Sequence, residues 1–262
     1  MTAVNPTKAN LISWWKLDET SGTRYDSHGS NNLSDINTVG YATGKKGNAA
    51  DFEGDNYEHL KINDNASLSF GNESFTIVCW AKFETTSGAK VIISKFDYGY
   101  KKKEYEVYQK VSTYRIGFKV SQNGTTENEV LANTFGDISA GTWYFIAAVH
   151  DSTNDKMIIS INGTSDSINY SGGCNDNTSP FAIGCEFNSG AVKTQYDGLV
   201  DEAAIWRRAL TADEISWLYN SGNGRTYEDL LSVKTINGID IAKVKTINGV
   251  DTAKVKSIWG IQ

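Results

Sequence analysis

The chain has 262 residues, 39% of them hydrophobic and seven of them Trp, which is material for one sizeable domain with an appendage rather than two full domains. Its net charge is −6, but residues 231–262 carry five Lys and two Asp, so the rest of the chain holds −9, and so acidic a body argues against nucleic-acid binding by phosphate neutralisation. A mean hydropathy of −0.40 and the lack of a long apolar run exclude a membrane-spanning helix.

Thr, Asn, Ser and Gly are plentiful and helical periodicity is scarce, the profile of many short strands joined by turns. In chain order, Met1–Asn10 is polar and lacks the apolar core of a secretory signal. Asp26 opens a turn-rich loop with Ser27, Gly29, Asn31 and Asn32, whose carboxylate, amide and carbonyl oxygens are the kind of donors that Ca²⁺ collects. The equally ordinary role of such an Asp is to form the turn itself. Glu53, Asp55 and Glu58 follow, spaced by Gly54, Asn56 and Tyr57, which read as a turn before a strand over Tyr57–Ile62. Cys79 sits inside F-T-I-V-C-W and reads as a buried apolar residue.

Between Phe96 and Phe118, Tyr98, Tyr100, Tyr105, Tyr108 and Tyr114 alternate with Lys101, Lys102, Lys103 and Lys110. Aromatic rings beside polar groups are the usual make-up of a sugar site, and Tyr98, Tyr100 and Tyr105 are the candidate ligand-binding residues. Plain strand alternation gives the same pattern, with Tyr half-buried and Lys in water. Cys174 and Cys185 bracket a Gly- and Asn-rich loop, and sequence leaves open whether they pair. His28, His59 and His150 are scattered and form no histidine-rich metal site.

The most informative block runs from Tyr196 to Gly222. Asp197-Gly198 is a turn signal, and Leu199–Trp206 reads as a strand carrying Asp201 and Glu202. A carboxylate within an apolar strand needs a partner, and a metal ion is one. Thr211-Ala-Asp-Glu214 is a capping box opening a short helix, with Ile215, Leu218 and Tyr219 on one face and Gly222 placed to end it. Residues 223–230 read as a linker. From Val233 the chain repeats with a period of 11, V-K-T-I-N-G-I-D-I-A-K, then V-K-T-I-N-G-V-D-T-A-K, then V-K-S-I-W-G-I-Q. Asn237-Gly238 and Asn248-Gly249 are strong hairpin-turn signals, with Trp259-Gly260 in the third place, so residues 231–262 are expected to form a small β-meander with strands such as Ile239–Ile247. Strands this narrow need a partner surface to bury their Val and Ile.

Several of these segments occur in the order of a known family. L-I-S-W-W-K-L-D-E-T-S-G-T (Leu11–Thr23), D-S-H-G-S-N-N (Asp26–Asn32), G-K-K-G-N-A-A-D-F-E-G-D-N-Y-E-H-L-K-I, F-T-I-V-C-W, G-T-W-Y-F-I-A-A-V-H-D and M-I-I-S-I-N-G precede the Tyr196–Gly222 block. Together they resemble the concanavalin-A-like, laminin-G-like domain, with His28 standing where that family usually has Ser. The resemblance implies an all-β, two-sheet antiparallel jelly-roll sandwich over residues 1–222 with one short helix near its C-terminal end, plus the small C-terminal β-repeat arm. It also implies one structural Ca²⁺, held by Asp26, Asn31 and Asp201. Glucanases on a related jelly roll use a Glu-x-Asp-x-x-Glu strand, and Glu53-Gly-Asp55-Asn-Tyr-Glu58 matches that acid spacing, but in a turn context that does not suit catalysis. The Lys-Thr-Ile-Asn-Gly repeats resemble C-terminal arms of phage virion and tail-associated proteins.

The expectation is therefore a non-catalytic, lectin-like head on a virion or extracellular surface. Its partner would be a surface glycan, and the arm would self-associate, as a trimer, or dock on another virion protein. The alternatives are a glycan hydrolase and a structural decoration protein that binds nothing small.

Overall fold

The structure is a computed structural model that describes residues 4–231 and short strands at 235–236, 239–240, 246–247 and 250–251. The chain divides into two units, Met1–Tyr227 and Glu228–Gln262. The strands of the first unit are β1 (Leu11–Trp15), β2 (Ser34–Ile36), β3 (Gly40–Thr43), β4 (Asn48–Phe52), β5 (His59–Ile62), β6 (Phe75–Phe83), β7 (Lys90–Asp97), β8 (Lys102–Gln109) and β9 (Ile116–Val120). They continue with β10 (Asn128–Leu131), β11 (Trp143–Asp151), β12 (Lys156–Ile161), β13 (Thr164–Asn169), β14 (Phe181–Ile183), β15 (Cys185–Asn188), β16 (Ala191–Gln195) and β17 (Gly198–Trp206). One α-helix, α1, spans Ala212–Tyr219.

These strands form the expected jelly-roll sandwich. The first sheet has the order β13-β12-β11-β6-β17-β4-β3, with β1 also paired to β17. The second has the order β10-β9-β8-β7-β14-β5-β2, and the β15–β16 hairpin joins it beside β7. Alternation decides what lies between the sheets. On β6, Phe75, Ile77, Cys79, Ala81 and Phe83 face the core, where they meet Tyr105, Val107, Phe118 and Val120 of β8 and β9. Each such large side chain contributes about 1.5–3 kcal/mol by leaving water.

The two outer faces are treated differently. The outer face of the first sheet is covered by aromatic side chains: Trp80 packs against Phe145 and Tyr219, and Trp14 meets Trp206 edge-on at 5.8 Å between centroids. Helix α1 starts as its sequence dictates, since Thr211 and Glu214 close a full capping box. It ends earlier than Gly222, because Asn220 adopts the left-handed C-cap conformation at φ 49°. The compact unit runs past the turn signal at Gly222 to Tyr227, because Arg225 donates to the Trp217 carbonyl and Tyr227 packs on Trp14 and His28.

Cys79, Cys174 and Cys185 are buried free thiols. In the second unit, β18 (Thr235–Ile236) pairs with β19 (Ile239–Asp240), and β20 (Thr246–Ile247) pairs with β21 (Val250–Asp251), so each Asn-Gly step lies between paired strands. The middle of the expected Ile239–Ile247 strand and the Trp259-Gly260 turn lie outside the described residues. Among the described residues no helix is long and apolar enough to cross a membrane.

Candidate functional site

On β8 the residues between the core positions point outward: Glu104, Glu106 and Tyr108 alternate with Tyr105 and Val107. On β9 the outward position between Phe118 and Val120 is Lys119. The β15–β16 hairpin adds Glu186, Lys193 and Thr194 from far along the chain. Asp97 fastens this hairpin: its carboxylate accepts the Ser189 N–H at 2.7 Å, the Gly190 N–H at 2.8 Å and the Tyr100 N–H at 3.2 Å. Gly99 is required beside it, since a Cβ there would lie 1.9 Å from Ser189 Oγ. The result is a cleft of about 440 Å³ whose walls include Tyr98, Tyr108, Glu106, Lys119, Glu186 and Lys193.

The cleft is rich in charge held out of water. Lys119 Nζ donates to Glu106 Oε1 at 3.0 Å and to the Tyr98 hydroxyl at 3.2 Å, and it stands 4.0 Å from the Tyr108 ring centroid. Burial alone would lower the Lys119 pKa; Glu106, Tyr98 and Tyr108 outweigh it and hold the ammonium charged. Burial pushes Glu106 well above the usual carboxylate range, and the neighbouring Glu186 charge adds to it, against the pull of Lys119. Glu106 and Glu186 are 1% and 4% exposed; Oε1 of each accepts, from Lys119 and from Thr194 Oγ1, and the Oε2 atom of each has no hydrogen-bond partner. Around this centre Lys103 pairs with Glu127, and Lys110 pairs with Glu129, which also accepts from the Tyr108 hydroxyl.

Of the tyrosines singled out by sequence, Tyr98 lines the cleft and Tyr108 joins it. Tyr105 does not: it is fully buried on the inner face, packed on Phe70 and Phe75 with its hydroxyl donating to the Leu68 carbonyl, because its parity on β8 is opposite to that of Tyr108. Tyr100 is exposed in the loop beyond β7, with Lys102 over its ring, and is not among the cleft residues. Alternation around Tyr105 and Val107 was the signal for Glu106, whereas Glu186 and Lys193 are brought in by a hairpin that no local pattern ties to β8.

Two of the three expected calcium ligands, Asp26 and Asn31, are hydrogen-bonded within the protein. Asp26 Oδ1 accepts the N–H groups of Trp14, His28 and Gly29 at 2.9–3.0 Å, and its Oδ2 accepts that of Asn31 at 3.1 Å. Asn31 Oδ1 accepts from Asn65 Nδ2 and Ser67 Oγ, while Asn31 Nδ2 donates to Ser13 Oγ. A bulge in β17 after Asp201, with Glu202 at φ 47°, turns Asp201 toward the Gly44–Gly47 loop, where Oδ2 accepts the Lys46 N–H at 2.8 Å. Only Asp201 Oδ1 is left buried without a partner. Burial pushes this carboxyl up to about 7 despite its backbone hydrogen bonds. Calcium needs six to eight oxygens, and of these three residues Asp201 alone offers a buried oxygen with no hydrogen-bond partner.

The acids with glucanase spacing form a turn. Gly54–Asn56 is a 3₁₀ turn closed by Tyr57 in the left-handed region, and Glu58 is buried, accepting from the Glu53 N–H and Asn56 Nδ2. Glu53 instead approaches Glu84 and Asp197, with ligand atoms within 4.8 Å of one another. Burial and then mutual repulsion raise the Glu53 and Glu84 pKa values.

This architecture is shared by proteins of known structure. The binding domain of paraclostridial mosquitocidal protein 1 superposes with a TM-score of 0.64 at 20% identity, over 82% of this chain and 53% of that one. Domain 4 of AbnA, an extracellular arabinanase from Geobacillus stearothermophilus solved with arabinotriose, gives 0.60 at 20% identity, over 79% of this chain and 97% of that domain. The botulinum neurotoxin serotype D ligand-binding domain, solved with N-acetylneuraminic acid, gives 0.59 at 13% identity, over 82% and 51%. The chain thus spans about half the length of the toxin domains it matches and nearly all of the arabinanase domain. A sequence search of curated proteins gives no match. The family model described as the concanavalin A-like lectin/glucanases superfamily matches residues 53–216, and the chain belongs to that superfamily.

Proposed function

We propose that this protein is a non-catalytic carbohydrate-recognition head that holds a surface glycan in the cleft between β8, β9 and the β15–β16 hairpin. The observation that carries the reading is the lining of that cleft. Two phenol rings, an exposed ammonium and two buried carboxyls surround a space of about 440 Å³, the mixture of apolar faces and converging polar groups that suits a hydroxyl-rich ligand. The sugars bound by the arabinanase domain and the neurotoxin domain support it by analogy of fold. The test is a glycan array followed by Tyr98→Ala. Binding is expected to weaken at least about tenfold, or about 1.4 kcal/mol, with the unfolding midpoint little changed. Glycan binding that ignores Tyr98→Ala places the site elsewhere.

The turn context of Glu53, Asp55 and Glu58 favours binding over hydrolysis. Release of reducing ends from a β-glucan, abolished by Glu53→Gln, would establish the enzyme instead.

The 11-residue repeats fit an arm that assembles this head on a virion or cell surface, with trimerisation or docking on a virion protein as its means. Among the described residues, β18–β19 and β20–β21 are two-stranded pairs, which suits an arm that takes partner strands along its edges. Truncation after Tyr227 is expected to leave a folded monomer where the full chain is oligomeric or particle-bound. Two monomers by light scattering, with the truncated form still joining its assembly, would remove the role.

A further inference from the structure

Lys95, on β7, is fully buried, which is rare for a lysine. Its Nζ lies among three acceptors: Asp64 Oδ1 at 2.9 Å, Glu104 Oε1, and the Asn177 carbonyl at 3.0 Å. Glu104 is fully buried as well. Ser69 Oγ and the Asn177 N–H hold its Oε1 at 3.3 and 3.0 Å, while its Oε2 has no hydrogen-bond partner. Asp64 lies in the loop after β5, and its side chain is 35% exposed. One buried ammonium thus faces two carboxyls, and an ion pair kept from water loses much of its attraction to desolvation.

An amine and a carboxyl held in contact are also the reactants of an amide, and fixed contact replaces the encounter that makes this condensation slow in solution. We propose that Lys95 Nζ and Asp64 Cγ join in an intramolecular isopeptide bond, with Glu104 as the proton carrier. Glu104 takes one proton from the Lys95 ammonium. The freed amine adds its lone pair to Asp64 Cγ. Glu104 then returns the proton to one Asp64 oxygen, which leaves as water with a second proton from the nitrogen. Ammonium and carboxylate become one amide and one water, nothing is oxidised or reduced, and Glu104 ends as it began. Burial lifts the Glu104 carboxyl to about 7 against the pull of Lys95, which suits a group that must take and return a proton near neutrality. The exposed side of Asp64 gives the water a way out. Because β14 pairs with both β5 and β7, the bond ties the loop after β5 to β7 across β14.

The test is to denature the full-length protein, weigh it by mass spectrometry and then digest it. The intact mass is expected to fall short of the sequence by one water, and the digest to hold a branched peptide joining the segments around Asp64 and Lys95. Glu104→Gln keeps both reacting groups but cannot carry the proton, so its mass should match its sequence. Lys95→Arg, which keeps the charge, and Asp64→Ala should likewise show no lost water. A wild-type mass with no water lost overturns the bond, whether or not any variant folds. A loss of ammonia with the branch at Asn177, or a loss of water that survives in Lys95→Arg, overturns the joining of Lys95 to Asp64.

Discussion

Asp26 and the Glu106–Glu186 pair are both carboxyl groups drawn into the sandwich, and they are satisfied in opposite ways. Asp26 spends both oxygens on four backbone N–H groups of its own loop and of β1, so it is a structural hub of that loop. Glu106 and Glu186 are more deeply buried than most acids, yet each keeps an oxygen that no protein donor fills, and both line open space. The lesson is that an acid in an oxygen-rich loop is weak evidence of a site until its donors are counted, because the backbone is the nearer competitor for its lone pairs.

The sharpest way to break this comparison is to remove each carboxyl in turn. Asp26→Ala strands four N–H donors at once and is expected to cost about 3 kcal/mol in a denaturant titration. Asp26→Asn should cost less, because one acceptor oxygen survives. Glycan binding by the remaining folded Asp26→Ala protein should be unchanged. A cost under 1 kcal/mol would show that the loop does not depend on its Asp.

Asp201 lies between the two extremes, with one oxygen satisfied and one not. A Cβ at residue 44 would lie 2.7 Å from Asp201 Oδ2, so only Gly44 lets the loop close over this carboxyl. Burial lifts its folded pKa to about 7 from an ordinary value of 3.8. The folded state therefore holds a proton that the unfolded state has released. The resulting stability is fully present below the unfolded value and is lost as pH rises through about 7. Asp201→Asn, which stays neutral and keeps an acceptor for the Lys46 N–H, should flatten this fall by on the order of 2 kcal/mol between pH 5 and 8. Parallel stability–pH curves for the two proteins would show that Asp201 is ionised throughout.

In the cleft, Glu106→Gln should change stability by under about 1 kcal/mol, because the amide oxygen can still accept from Lys119 and the amide N–H can fill the place of the unpartnered Oε2. It should still change glycan affinity several-fold, since Lys119 loses its buried counter-charge. A large loss of stability with unaltered binding would make Glu106 the structural acid and reverse the contrast with Asp26.

The fold was legible because its signals are local. The capping box at Thr211 and Glu214, the strand ending at Trp206 and the turn at Gly54–Asn56 each follow from a few adjacent residues. The site was half legible. Tyr98 was within reach of sequence, but Tyr105 and Tyr108 differ only in parity. The bulges in β7 opposite β8 break the simple count that would have set that parity from the neighbouring strand. Glu186 and Lys193 reach the cleft through the packing of a hairpin roughly 80 residues further along the chain, and Asp97's grip on Ser189 and Gly190 has no local signature.

The smallest effect expected is that of chelation, and it tests the Asp26 side of the comparison directly. If Asp26 and Asn31 are saturated by protein donors, and Asp201 offers a single oxygen, EDTA should leave the melting temperature of metal-free-purified protein unchanged. A bound ion at a hundredfold excess over its Kd would add about 2.7 kcal/mol, an effect that melting curves resolve easily. A drop in melting temperature with EDTA that Asp201→Asn abolishes would mean that the Asp201 oxygen recruits an ion together with carbonyls of the Gly44–Gly47 loop. A drop that survives in Asp201→Asn but vanishes in Glu84→Gln would point instead to the cluster of Glu53, Glu84 and Asp197, whose carboxylate oxygens lie within 4.8 Å of one another. Either result would show that counting protein donors is not enough to dismiss a metal in this sandwich.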